Sequence, residues 1–284
     1  MMRGNLKISF YLSIIATILA AIASGIGLFN AEIYNDNAFV KSAWYANDWV
    51  TLVVAVPSLI IALVLSKNGD FKPKLVWLGL MGYLFYNYAF YLFGAAFNNI
   101  FLLYVAIYTL SFFALIMGLA ALPVQNIIGT SKILRNEIPI LSGQRAVSFF
   151  LILISIMLCL VEIPPCFTFI TKGAIPEIIV KTQIHTSIVY ALDLSFVVPA
   201  MVLGAILLWQ NKGWGIILSA MMLVKCFTYG LVLTFGTFLL MKKGLSNDPL
   251  LPVWIFITVG GLVGVFILLK NVKSNPLTAL PKNL

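Results

Sequence analysis

Two charged residues stand out because apolar sequence surrounds them: Asp193 and Lys225, in the stretch from Thr186 to Met241. A bare carboxylate or ammonium in hydrocarbon costs several kcal/mol, so such groups turn toward a protein interior and pair there. Asp193 shares its helical face with Tyr190 and Thr186, and Lys225 shares its own with Met221, Thr228 and Tyr229. Glu162 lies on a stripe with Ser148, Ser155, Cys159 and Cys166, directly before Pro164 and Pro165, where a helix is expected to kink or end. Asp48 precedes an apolar run and is placed near the surface, solvated or capping a helix. Tyr83, Asn87, Tyr91, Gly94 and Asn98 share a face of an aromatic-rich helix, polar enough to line a cavity or to pack as a satisfied interior. Two or three carboxylates above one lysine would make an outward-facing, partly charge-compensated pocket. Its candidate lining is Asp48, Asn87, Tyr91, Glu162, Asp193, Lys225 and Tyr229.

The chain that must position these groups is too apolar for a soluble globule. Its 284 residues are 62% hydrophobic and 10% charged, with a mean hydropathy of +1.05. The expected fold is all-α, a polytopic transmembrane helix bundle with the lipid bilayer as its surroundings. Eight apolar stretches are long enough to cross roughly 30 Å of hydrocarbon as helix. They run Ile8 to Phe29, Trp49 to Ser66, Leu75 to Phe97, Ile100 to Leu122, Ala146 to Ile170, Ser187 to Trp209, Gly215 to Met241, and Leu251 to Leu269.

A net charge of +9 raises the question of an anionic partner, and the placement of the charges answers it. With eight spans, twelve of the 18 Lys and Arg residues fall on the side of the termini, five fall on the other side, and Lys225 lies within a span. That asymmetry sets topology, with both termini cytoplasmic, and gives no basis for a nucleic-acid partner. The basic, apolar start could pass for a secretory leader. It reads instead as a retained helix, because Ile8-Ser9-Phe10-Tyr11-Leu12 resembles Val147-Ser148-Phe149-Phe150-Leu151 at the start of the fifth span.

That echo extends further. Asp48 with Pro57 parallels Asp193 with Pro199, Lys67-Asn68-Gly69 parallels Asn211-Lys212-Gly213, and Asn87 falls opposite Lys225. The expectation is a duplicated, parallel four-helix unit: residues 1–122, a cytoplasmic connection over 123–145 that rests on headgroups or is solvated, and residues 146–284. Gly260 and Gly264 form a G-x-x-x-G face for close helix packing. Cys159, Cys166 and Cys226 make no C-x-x-C pair and read as buried small hydrophobes.

No H-E-x-x-H, G-x-S-x-G or G-x-x-x-x-G-K occurs, and His185 is the single histidine, placed in a solvated loop. Bis-histidine haem within one chain and a histidine-rich metal site are therefore excluded, and no cofactor or metal is expected. The residues favour transport or binding of a small molecule or ion through the polar pocket between the halves. A structural or assembly subunit of a membrane complex is the alternative. Weaker still is an enzyme or cofactor protein, with Glu162 and Asp193 in acid–base roles or a Schiff base on Lys225.

Asp48-Trp49-Val50-Thr51-Leu52 and Tyr86-Asn87-Tyr88-Ala89-Phe90-Tyr91-Leu92-Phe93-Gly94 resemble a group of uncharacterised multi-pass membrane proteins of bacteria and archaea. The likeness reaches through Asp193 to Lys225. It implies a prokaryotic cytoplasmic membrane and carries no activity and no functional residues.

The charge asymmetry makes topology testable: reporter fusions at Asn98 and at the C-terminus are expected to report opposite sides of the membrane. The same side for both would mean that the number of spans is wrong.

Overall fold

The computed structural model describes residues 4–122, 124, 141–270 and 272. Most of the expected 123–145 connection, including Lys132, Arg135 and Glu137, lies outside them. Among the described residues all regular structure is helical. Eight helices are long and apolar enough to cross a membrane: α1 (Gly4–Phe29), α2 (Ala38–Ser66), α3 (Phe71–Phe93), α4 (Phe101–Ala120), α5 (Leu141–Lys172), α6 (Ile188–Trp209), α7 (Gly213–Lys242) and α8 (Leu251–Lys270). The protein is a helical membrane bundle. A short helix, Glu177–Thr182, lies between α5 and α6.

The eight expected spans are present, with shifted ends. The largest shift is in α2, which starts at Ala38, where Asn37 accepts a hydrogen bond from the Val40 N–H, and not near Trp49. The sequence Ala38–Val50 is amphipathic and mixes polar residues with Val40, Trp44 and Val50 that are buried, so its apolar average is too low to register as a span. Asp48 consequently sits inside the helix, 2% exposed, and neither caps α2 nor meets solvent. Similarly, α5 begins at Leu141 and α3 ends at Phe93, with Gly94 as its cap. The helix α5 does not end at Pro164 and Pro165 but continues to Lys172. The two prolines cannot donate to the carbonyls of Leu160 and Val161.

The helices α3 and α7 form the centre of the bundle. In each, 78% of the apolar window is buried, against 22–44% in the other six. They pack directly on each other, and a Cβ at Gly79 of α3 would meet the Val224 Cβ of α7 at 2.8 Å. Around them, α2 and α4 pack on α3, and α6 and α8 pack on α7, while α2 also lies along α7. Small polar residues on α1 fasten it to this centre. Ser9 Oγ donates to the Ala114 carbonyl of α4, and Trp77 Nε1 of α3 donates to Ser13 Oγ. The expected Gly260–Gly264 face is divided between two neighbours. Gly260 faces Phe150 of α5, and Gly264 faces Leu223 of α7 together with Gly261.

Two features recur in α2 and α6. Residues Thr51–Ala55 in α2 and Asp193–Val197 in α6 form single wide π-turns, in which the N–H of Val56 bonds Thr51 O and that of Val198 bonds Asp193 O. Each is followed at once by Val-Pro, Val56-Pro57 and Val198-Pro199. A proline inside a helix lacks a donor and crowds the preceding turn, and a widened turn just before it relieves that crowding. The residue that opens each wide turn lies six positions before its proline. In the first half that residue is Thr51, not Asp48.

Backbones approach closely where α6 meets α7, and a Cβ on Gly215 would overlap the backbone of Leu207 and Leu208. Backbone there cannot yield as a flexible side chain would. Gly215→Ala is therefore expected to destabilise the protein by about 1–3 kcal/mol, read as a lowered unfolding midpoint. Gly25→Ala, with open space at its Cβ, serves as the neutral control.

Candidate functional site

The polar residues gather into two buried sites, one on each side of α3. The first is built on Asp48. Its Oδ1 accepts from the Tyr91 hydroxyl of α3 at 2.9 Å, and its Oδ2 accepts from the Tyr34 hydroxyl, which reaches in from the turn between α1 and α2. Gly27 of α1 makes room for this contact, since a Cβ there would overlap both Asp48 Oδ2 and the Tyr34 hydroxyl. Trp44, Tyr91 and Tyr104 stack around it, with ring centroids 4.6 Å apart for Trp44–Tyr91 and 5.0 Å for Tyr91–Tyr104. Among the described residues Asp48 has no ion-pair partner.

One turn further along α2, Thr51 Oγ1 meets the Tyr83 hydroxyl at 2.8 Å and accepts from Asn87 Nδ2 at 3.4 Å. Asn87 Oδ1 is buried without a hydrogen-bond partner. Of the expected face, Tyr83, Asn87 and Tyr91 lie together on α3 in a packed interior, whereas Gly94 and Asn98 lie beyond the end of the helix at Phe93. All three residues are buried.

The second site joins α3 to α6 and α7. Lys225 Nζ of α7 lies 3.3 Å from Asp193 Oδ1 of α6, and the Tyr86 hydroxyl of α3 donates to the same oxygen at 2.6 Å. The ammonium stands 4.2 Å from the centre of the Tyr86 ring and 5.0 Å from that of Tyr229, within range for cation–π attraction. Tyr86 thus supports the pair twice, through its hydroxyl on the anion and its ring on the cation. The wide turn opening at Asp193 directs that carboxylate inward, where the two side chains are only 5% and 9% exposed.

Glu162 completes this site from α5, whose helix packs against the wide turn of α6 and against α7. It is 2% exposed, its carboxyl is in hydrogen-bonding contact with that of Asp193, and Lys225 acts on it electrostatically. Its Oε2 nonetheless has no hydrogen-bond donor. Beside the pair lies a cavity of about 30 Å³, lined by Asp193, Lys225, Tyr229 and otherwise mainly apolar residues such as Leu158, Met201 and Trp254. By this measure a water needs about 10–15 Å³, so the space holds about two.

The residues singled out from the sequence are thus divided. Glu162, Asp193, Lys225 and Tyr229 come together, Asp48 and Tyr91 form a separate site, and Asn87 lies between the two on Thr51. The cavity beside Asp193 and Lys225 is lined by Tyr229 and by none of Asp48, Asn87, Tyr91 and Glu162. A larger depression, about 370 Å³ between α5 and α6, is lined by Phe149, Ile152, Ile206 and Trp209 among others and holds none of these groups. Tyr86, Tyr34 and Thr51 were not among the expected site residues. Tyr86 stands one position before Asn87, on the face of α3 turned to the second half, and helical spacing gave no reason to choose it over Tyr88 or Phe90. His185 is exposed, Cys226 is buried, and Cys159 and Cys166 are half-buried. Among the described residues no cluster of His, Cys, Asp and Glu could hold a metal ion.

Fold and site define an integral membrane protein of eight long apolar helices with two buried carboxylate sites. No family model, curated protein or solved structure matches the chain.

A buried ion pair adds little net stability, but removing one partner strands a charge. Lys225→Met is expected to cost about 3–5 kcal/mol. Adding Asp193→Asn to it should recover much of that loss, as measured by unfolding midpoints of the four proteins of the cycle. A double mutant as unstable as the sum of the two single ones would show that the charges do not communicate.

Proposed function

We propose that this protein binds a small molecule or ion at the Glu162–Asp193–Lys225 site and passes it across a prokaryotic cytoplasmic membrane, with both termini on the cytoplasmic side. The observation that carries this reading is Glu162 Oε2, a buried carboxylate oxygen without a donor, on a carboxyl next to an ion pair that itself lines a small cavity. A site built only for packing has no use for an unsatisfied charged group, whereas a site that takes up and releases a ligand leaves one open in one of its states. The position of the site supports the same reading. Its groups come from α3 of one half and from α5, α6 and α7 of the other, so relative movement of the halves would open it. The small cavity fits a closed state of such a cycle.

We read the halves as a duplicated parallel four-helix unit, and the matched wide turns before Pro57 and Pro199 support this. Both units put the polar residue that opens the turn against the third helix of its own half: Asn87 donates to Thr51 at 3.4 Å, and Lys225 to Asp193 at 3.3 Å. Parallel repeats of this kind are one of the ways transporters build a central site.

The dry closure of the pair also favours a second reading, a structural or assembly subunit in which Asp193 and Lys225 fix helix register. Ligand binding separates the two. A thermal-shift screen of the purified protein against metabolites and ions is expected to give a compound that raises the melting temperature in the wild type and has no effect in Lys225→Met, because a ligand bound only by the native state stabilises it. If no compound stabilises the protein while its stability rises on co-purification with a partner subunit, the structural reading holds.

A further inference from the structure

The charges at the second site do not balance. Two carboxylates, Glu162 and Asp193, are in contact, and among the described residues Lys225 is the one cation beside them. The other titratable groups facing the pair are neutral tyrosines and thiols: Tyr86 of α3, Tyr190 of α6, Cys226 and Tyr229 of α7, and Cys166 one turn further on α5. The face presented by α8 contributes Trp254 and Ile257, which carry no charge. The site as drawn with ionised side chains therefore holds one uncompensated negative charge, which costs several kcal/mol in a membrane interior.

The hydrogen bonds point to the same deficit. Asp193 Oδ1 accepts from both Tyr86 and Lys225, whereas Glu162 Oε2 accepts from nothing. An oxygen that lacks a donor but lies in a carboxyl touching another carboxylate is satisfied if it carries a proton itself, because it then donates to its neighbour. One proton thus removes the excess charge and the orphan acceptor together. A metal cation would face the Lys225 ammonium at short range, and the cavity of about 30 Å³ leaves no room for a larger organic cation beside the pair.

We propose that Glu162 and Asp193 share one exchangeable proton, carried on Glu162 when Asp193 is paired with Lys225, so that the ion this site binds is a proton. This deepens the transport reading and rests on it for its purpose. The Glu162 carboxylate takes the proton from hydronium, releasing water, and passes it to the Asp193 carboxylate when Lys225 turns to Glu162 as its counterion, so the charge of the site is unchanged. Asp193 returns it to water as Lys225 comes back to Asp193. Lys225 is the exchanging partner: whichever carboxylate it holds is ionised, and the other keeps the proton.

Infrared spectroscopy of the purified protein, near neutral pH and in a detergent without ester groups, reads the proton directly. The wild type is expected to show the carbonyl band of a protonated carboxylic acid, shifted in heavy water, and Glu162→Gln is expected to lose it. Glutamine keeps the shape and donates to Asp193 in place of the acid, so this variant should fold. Asp193→Asn gives a second reading, because Glu162 then becomes the sole counterion of Lys225, ionises, and the same band is lost. A difference spectrum without a carboxylic-acid band in either variant overturns the shared proton. The band is independent of ligand binding, so the two readings fail separately. Absence of the band with ligand-induced stabilisation intact removes only the proton, and a band in a protein that moves no protons across a proteoliposome membrane leaves a fixed proton and removes transport.

Discussion

The contact on which the bundle depends is the ion pair between Asp193 and Lys225 under the Tyr86 ring. It is the place where a helix of the first half enters the charged chemistry of the second. The Tyr86 hydroxyl donates to the carboxylate at 2.6 Å and its ring faces the ammonium at 4.2 Å, so neither charge keeps its neutralising environment if α3 shifts against α6 and α7. In a medium without water, apolar contact gives helices no preference for one partner over lipid, and polar bonds and close small-residue packing must set their register. Gly79 against Val224 supplies the close packing for the same pair of helices. The central crossing is therefore set by one steric contact and one electrostatic one.

Much of this was legible in the sequence because hydropathy dominates the physics of a membrane chain. Eight apolar runs gave eight helices, and two charges within such runs had to find each other. Whether a lysine at position 225 could reach Asp193 from its own helix was a geometry that spacing alone could not decide. What remained hidden has particular causes. The start of α2 was missed because Ala38–Val50 buries polar residues, Asn47 and Asp48 among them, that hydropathy counts as surface. The role of Asp48 was misjudged for the same reason: a carboxylate near the end of an apolar run looks solvated until Tyr34 is known to fold back over it from a turn. Tyr34 lies in no span and shares no periodicity with Asp48, so no sequence signal joined them.

The prolines are a further lesson in how local chemistry is read. Pro57 and Pro199 were visible, and their effect on the chain is a widened turn ahead of each. Aligning the halves by acidic residues paired Asp48 with Asp193 at unequal distances from proline. Aligning them by the backbone pairs Thr51 with Asp193 at equal distances from proline, and Asn87 then falls opposite Lys225 only with a four-residue gap in the turn that follows. The backbone match is the better guide, because a π-turn moves every later side chain around the helix axis, whereas a single acidic residue is free to appear on either side of it.

The two halves then differ in a way that bears on mechanism. In the first, the position that opens the wide turn carries a neutral hydroxyl, and its partner on the third helix is a neutral amide. In the second, the same two positions carry a carboxylate and an ammonium. A neutral pair held in dry surroundings has no large cost to separate and nothing to gain from an ion, so the first half can serve as a fixed scaffold. A charged pair is costly to separate unless another counterion stands ready. On the shared-proton proposal Glu162 of α5 is that counterion, and no carboxylate of α1 stands beside Thr51 in its place. On the same proposal, a second carboxylate that can receive the lysine lets a helix at this site move without stranding a charge.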